Sequence, residues 1–209
     1  AVLYTAQTRI DSAVERYLKT HNVEVAPYSD FWAALQSITE PVLVDPERTS
    51  HAIAVAVSTR RRFEHTQPST GMKAHKNETE LSHLRSTMRR DGAAVVRFLK
   101  RFDDRVASGD EFDELEAITM LQSERETIPD YVGDSFNYIS AYNEHGAIVH
   151  YSVDKGSSAV VRKPGIYLID SGGQYRSGTT DITRTVPVGD PPAEAVRDYT
   201  LVLKGHVAL

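Results

Sequence analysis

The string IYLIDSGGQYRSGTTDITRT at residues 166–185 constrains the fold more than any other part of the chain. Ile166, Tyr167, Leu168 and Ile169 form an apolar run that ends at Asp170 and reads as a buried strand. The glycine-rich segment 172–178 is permissive enough to reverse the chain. The β-branched run Thr179–Thr185 then returns as the partner strand. Counting inward from Asp170 and Asp181 places the midpoint between Tyr175 and Arg176. The two carboxylates are therefore predicted to face each other across a hairpin. Like charges so placed repel, and a divalent cation with oxygen ligands relieves the repulsion. Aspartates beside glycine-rich turns are also common as plain turn formers, so spacing alone leaves both readings open.

The organisation of the chain changes near residues 66–72, TQPSTGM, a Pro/Gly/Ser/Thr punctuation. Before it, short strands at 2–5, 23–25, 42–44 and 62–65 alternate with helical patterns at 8–20, 30–38 and 47–58. That alternation predicts a small α/β layer. Nothing in it carries nameable chemistry, and Trp32 reads as core or interface. After the punctuation, Asn77 is a candidate cap with Glu78 and Glu80 in the first turn. Leu81, Leu84, Met88, Val95, Phe98 and Phe102 then keep helical spacing to about residue 102. A second helix is predicted at about 110–126, with Phe112, Leu115, Ile118 and Leu121 inward. Glu111, Glu114, Glu116, Glu124 and Glu126 form its solvated face.

Residues 136–151 are predicted to form two strands joined at the turn Asn143-Glu144-His145-Gly146. His150 would follow the apolar strand Ala147–Val149, a position that suits a packed histidine as well as a functional one. Pro191 and Pro192 open a last helix with Ala195, Tyr199, Val202 and His206 on one stripe, which predicts His206 packed on the sheet. His75 and His83 have no partner at metal spacing. The whole is expected to be an α/β (α+β) protein.

The chain has 209 residues, a net charge of −5 and no cysteine. This excludes a disulfide scaffold and argues against nucleic acid as the main partner. No stretch approaches the roughly 20 apolar residues that span a membrane. A cytoplasmic location is the expectation, with no membrane partner. The start at Ala1 predicts a chain that begins inside a larger protein.

IDSGGQYRSGTTDITRT resembles the signature of the pita-bread metallopeptidases, and within them the Xaa-Pro aminopeptidases. GAIVHY at 146–151 and MKAHKNETEL at 72–81 are similar to two further segments of that family. The resemblance implies an incomplete pita-bread domain at 71–209, behind the rear part of a middle α/β domain at 1–70. It implies that Asp170 and Asp181 are two of five ligands to a pair of divalent ions, manganese first, with zinc or cobalt as alternatives. It implies that His150 lines the substrate pocket and stabilises the oxyanion. The activity implied is metal-assisted release of the N-terminal residue from peptides with proline second. Such an amide lacks a hydrogen and its ring restricts the preceding residue, which hampers ordinary peptidases.

The family pattern also needs a histidine and two glutamates after the aspartate pair. Only Glu194 and His206 follow Asp181, and neither fits those motifs. Residues 1–209 are thus expected to be a truncated, inactive piece that holds metal weakly or not at all. Its open sheet edge is expected to drive self-association, such as a homodimer. A prolidase-type dipeptidase and a non-catalytic binding module of the same fold are the alternatives.

Overall fold

In the computed structural model, which describes residues 1–209, the chain divides into units Ala1–His75 and Lys76–Leu209. The first unit alternates strands and helices: β1 (Val2–Thr5), α1 (Ser12–Thr20), β2 (Glu24–Pro27), α2 (Phe31–Ser37), β3 (Val42–Val44), α3 (His51–Ala56) and β4 (Arg62–Glu64). β1 pairs parallel with β2, and β3 parallel with β4, as crossover helices require. The Asp11 carboxylate caps α1 by accepting from the Ala13 and Val14 amides. Trp32 is partly exposed and meets Phe31 edge-on at 5.2 Å. The punctuation at 66–72 is not an open linker. Pro68 occupies the first turn of α4 (Pro68–Ala74), and the Asp45 carboxylate holds its entry by accepting from the Gln67 amide at 2.8 Å.

The second unit begins with α5 (Glu78–Ser108), about six residues longer than the apolar stripe predicts. Asn77 and Glu80 form a reciprocal capping box, and Gly109 closes the helix in the left-handed region at φ 77°. The buried face of α5 includes Val95, Phe98 and Phe102 as expected, but also Val106, Thr87 and Asp91. Met88 is exposed. A short strand, β5 (Phe112–Asp113), leads into α6 (Glu114–Glu126), which Asp113 and Glu116 cap in the same reciprocal way. Then follow β6 (Tyr131–Asp134), β7 (Ile139–Tyr142), β8 (Val160–Val161), β9 (Gly165–Ser171), β10 (Gly173–Tyr175), β11 (Gly178–Thr179), β12 (Ile182–Val188) and α7 (Ala193–Ala208).

Antiparallel strands in the order β12-β9-β7 form the central sheet. Side chains alternate along β9, so Tyr167 and Ile169 are buried while Ile166, Leu168 and Asp170 lie on the opposite, half-exposed face. The buried face meets α5 and α6 in one core: Phe102 stacks on Tyr167 at 4.6 Å and meets Phe112 edge-on at 5.1 Å.

The signature hairpin differs from the expectation in register. β9 pairs with β12 so that Asp170 lies opposite Thr183, not opposite Asp181. The 172–178 segment is not a loop either: β10 and β11 continue the hairpin and turn at Arg176-Ser177, one residue later than predicted. The turn is set there because Ser177 is tied down. Its hydroxyl lies 2.7 Å from the Thr87 hydroxyl and 2.9 Å from an Arg90 guanidinium nitrogen, and it donates to Asp130 at 2.5 Å. Ser177 and Arg90 together hold the Asp130 carboxyl below its usual range.

Between the two parts of the hairpin the arms come into close contact at Gly172. Ser135 bridges the gap: its amide donates to the Gly172 carbonyl at 3.0 Å and its hydroxyl to the Thr180 carbonyl at 2.9 Å. A Cβ at Gly172 would lie 2.1 Å from the Thr180 carbonyl oxygen and 2.2 Å from Ser135 Oγ. Backbone cannot yield there, so Gly172→Ala is expected to destabilise this unit by about 3 kcal/mol. The check is the urea midpoint of its unfolding; an unchanged midpoint would show that the contact relaxes.

The expected second strand at 147–149 is absent. Asn143–Ala147 forms a 3₁₀ helix, and residues 148–150 continue as turn. Strand propensity needs a half-buried surface to act on, and Val149 is 85% exposed. The final helix also differs. α7 has no buried residue, and His206 lines a cavity of about 950 Å³ between β12 and α7 instead of packing on the sheet.

Candidate metal and substrate site

The outer face of the central sheet carries the predicted site residues. Asp170 lies one residue before the end of β9, half-exposed, and its Oδ1 accepts from the Thr183 hydroxyl directly across the ladder at 2.8 Å. Thr183 therefore fixes the orientation of that carboxylate. Asp181 precedes the ladder by one residue and is exposed. By alternation it shares the Thr183 side, which makes it a diagonal neighbour of Asp170 on one face. The pair is thus same-sided but offset, a geometry that follows from the shifted turn.

This donor set fits a hard divalent cation in type: two carboxylates on one face, one of them already oriented by a hydroxyl. No third His, Cys, Asp or Glu joins them in a metal-sized cluster. The two aspartates fit as part of a ligand shell and do not complete one.

His150 lies in the turn after the 3₁₀ helix, exposed, at φ 55° in the left-handed region. Histidine tolerates that region better than most residues with a side chain, yet the conformation still needs support from its surroundings. The segment sits over the outer face of the sheet, because a Cβ at Gly146 would lie 3.9 Å from Leu168 Cβ. Leu168 is two residues before Asp170 on the same side of β9. The structure therefore brings the His150 segment and the aspartates to one sheet face.

Sequence reasoning placed Glu114 on a solvated face, and the structure places it in the interior at 0% exposure. As the first residue of α6 it points into the 142–159 segment, where its carboxylate meets the Tyr142 and Ala159 amides. Burial pushes the Tyr151 phenol up, with the Glu114 charge adding to the effect, so its hydroxyl stays a donor to that carboxylate. Thr183 was also missed. Its signal was present as the threonine two residues past Asp181, legible once the register is known. Glu124, from the same predicted face, is paired with Arg97 and Arg101, which hold its carboxyl below the usual range.

Residues 82–209 match metallopeptidase family M24, and residues 1–80 match the creatinase/prolidase N-terminal domain. A probable Xaa-Pro aminopeptidase P of Sordaria macrospora is 34% identical, with 100% of this chain and 36% of that protein covered. Its counterpart in Neurospora crassa is 33% identical, with 100% and 32% covered. The chain thus spans about a third of the length of these relatives. Among solved structures it is similar to the X-prolyl aminopeptidase of Caenorhabditis elegans, described as a cytosolic enzyme with a di-nuclear active site. The TM-score is 0.92 at 30% identity, over 99% of this chain and 35% of that one. An X-Pro aminopeptidase of Thermotoga maritima has a TM-score of 0.68 at 20% identity, which speaks to the fold alone. No helix is long and apolar enough to cross a membrane. With a pita-bread aminopeptidase fold and a family match over most of its length, the chain belongs to metallopeptidase family M24.

Proposed function

We propose that the protein containing this chain is a metal-dependent aminopeptidase that releases the N-terminal residue from peptides with proline at the second position. The observation that carries the reading is Asp170 and Asp181 on one sheet face, within the M24-matching region. In this reading both aspartates are ligands to a pair of divalent ions, manganese first, with zinc or cobalt as alternatives. When bound, the ions supply Lewis-acid polarisation of the scissile carbonyl and a nucleophile at neutral pH. Thr183 orients Asp170, and the His150 imidazole holds substrate and stabilises the developing oxyanion. Residues 1–70 act as the rear of a middle domain without catalytic groups. Residues 1–209 alone are inactive, since two carboxylates hold a hard cation loosely. The β12 edge of the β12-β9-β7 sheet, which pairs with no further strand, supports self-association, with a homodimer as the expected form. The proposed location is the cytoplasm, and neither nucleic acid nor membrane is a partner.

The test uses the longer protein. It is expected to cleave an Xaa-Pro-Yaa tripeptide after the first residue and to lose that activity to a chelator. Residues 1–209 alone should hold far less than two ions per chain by elemental analysis. Preference for the Xaa-Pro dipeptide would make the protein a prolidase-type dipeptidase instead. Two tightly held ions on residues 1–209 would overturn the partial-site reading, and no hydrolysis of either peptide would leave a binding role.

A further inference from the structure

Glu114 is the one buried carboxylate whose acceptor positions are all filled by a single chain segment. Oε1 accepts from the Tyr142 amide at 2.6 Å and from His145 Nδ1 at 2.8 Å. Oε2 accepts from the Ala159 amide at 3.0 Å and from the Tyr151 hydroxyl at 3.1 Å, whose single proton also reaches the Ser157 carbonyl at 3.3 Å. An ionised carboxylate offers about four acceptor positions, and here each has a donor. His145 is thereby fixed with its proton on Nδ1, and its ring stacks on Tyr151 at 4.5 Å. The Glu114 backbone joins in: its carbonyl accepts from Ser140 Oγ, which in turn accepts from Tyr167, since the carbonyl cannot donate.

These bonds grip the segment at its start (Tyr142, His145), just past His150 (Tyr151) and at its end (Ala159). His150 itself is exposed and in a left-handed conformation, so nothing in its own side chain holds it. Its placement is over-determined by the neighbours on either side, and both neighbours end on one carboxylate.

We propose that Glu114 is a positioning residue for the substrate-binding segment, the buried anchor that sets where His150 stands over the Asp170 face. It touches neither substrate nor metal and acts only through the segment. Glutamine is a sharp probe because it keeps the shape and reverses one partner. Its NH₂ must face either the Tyr142 or the Ala159 amide, and a backbone N–H cannot turn around to accept.

The role in catalysis rests on the aminopeptidase reading above; the anchoring itself does not. In the longer protein, Glu114→Gln is expected to speed amide hydrogen exchange about ten-fold within residues 143–159 and to leave α5 and β9 unchanged. Tyr151→Phe keeps the ring against His145, removes one donor, and should give a smaller change in the same place. Against an Xaa-Pro tripeptide, Glu114→Gln should lower kcat/KM up to about 100-fold with metal content unaltered. The double variant with His150→Asn, a residue that tolerates the same backbone, should be no worse than His150→Asn alone. Losses that multiply in the double variant, or exchange that rises evenly through the core in both single variants, would overturn the proposal. If the wild type cleaves no Xaa-Pro peptide, the functional reading fails, and the exchange data still decide whether Glu114 anchors the segment.

Discussion

Asp91→Ala is expected to destabilise the second unit by about 3–5 kcal/mol, the range for removing one partner of a buried ion pair. Arg125 is 0% exposed and gives Asp91 two hydrogen bonds, Nε to Oδ1 at 2.8 Å and Nη2 to Oδ2 at 3.3 Å. Its Nη1 donates to the Tyr138 hydroxyl at 2.8 Å, and the Tyr175 hydroxyl donates to Asp91 at 2.6 Å. Burial works to discharge Arg125, and its interactions with Asp91 and Tyr138 together overcome it, leaving the guanidinium's pKa raised. Without Asp91 a full positive charge stays in the interior and Tyr175 loses its acceptor. Because one cluster joins α5, α6, β10 and the residue before β7, the loss should appear as a lower urea midpoint for the whole unit. The pair itself need not be net stabilising, so Asp91→Leu/Arg125→Met should recover more than half of the loss. A cost below about 1 kcal/mol for Asp91→Ala, within the surface-pair range, would mean that Arg125 reaches water.

The second large effect concerns the aspartates. In the longer protein, Asp181→Ala is expected to lower kcat/KM by more than about 100-fold and to reduce bound metal. Thr183→Val should cost about 10–100-fold, the usual range for a group that orients a ligand. The ordering matters more than either value. The Thr183 side chain gives the Asp170 carboxylate one 2.8 Å hydrogen bond, so its removal frees the carboxylate to rotate without deleting it. Steady-state kinetics with elemental analysis of each variant would check this. Undiminished metal and activity in Asp181→Ala would remove Asp181 from the site, and a Thr183→Val loss equal to it would mean the fold had been damaged.

Much of the fold was legible because its signals are local. The β9 run, the Asn77 cap and the spacing from Val95 to Phe102 each depend on neighbours a few residues away. The site was legible as residues and illegible as geometry. The hairpin turns at Arg176-Ser177, one residue past the predicted midpoint, because Thr87, Arg90 and Asp130 hold Ser177 from elsewhere in the chain. The apolar triplet before His150 looks like a strand, but no neighbouring strand receives it. Glu114 read as a solvated helix position, and Asp91 and Arg125 drew no reading, because their partners are distant in sequence. A buried charge becomes visible only when its counterpart is in view.

The fastening of Ser177 also governs which changes of length the hairpin accepts. With the tip pinned to α5, the two arms behave like the sides of a zip with a two-tooth pitch. One residue added between Thr179 and Asp181 would move Asp181 opposite Ser171 and turn its carboxylate toward the core. One residue added to each arm at matching places would keep the two aspartates on a common side, and two added to each arm would keep that side the outer one. Matched arm lengths, rather than the individual residues between them, keep the pair on a common side.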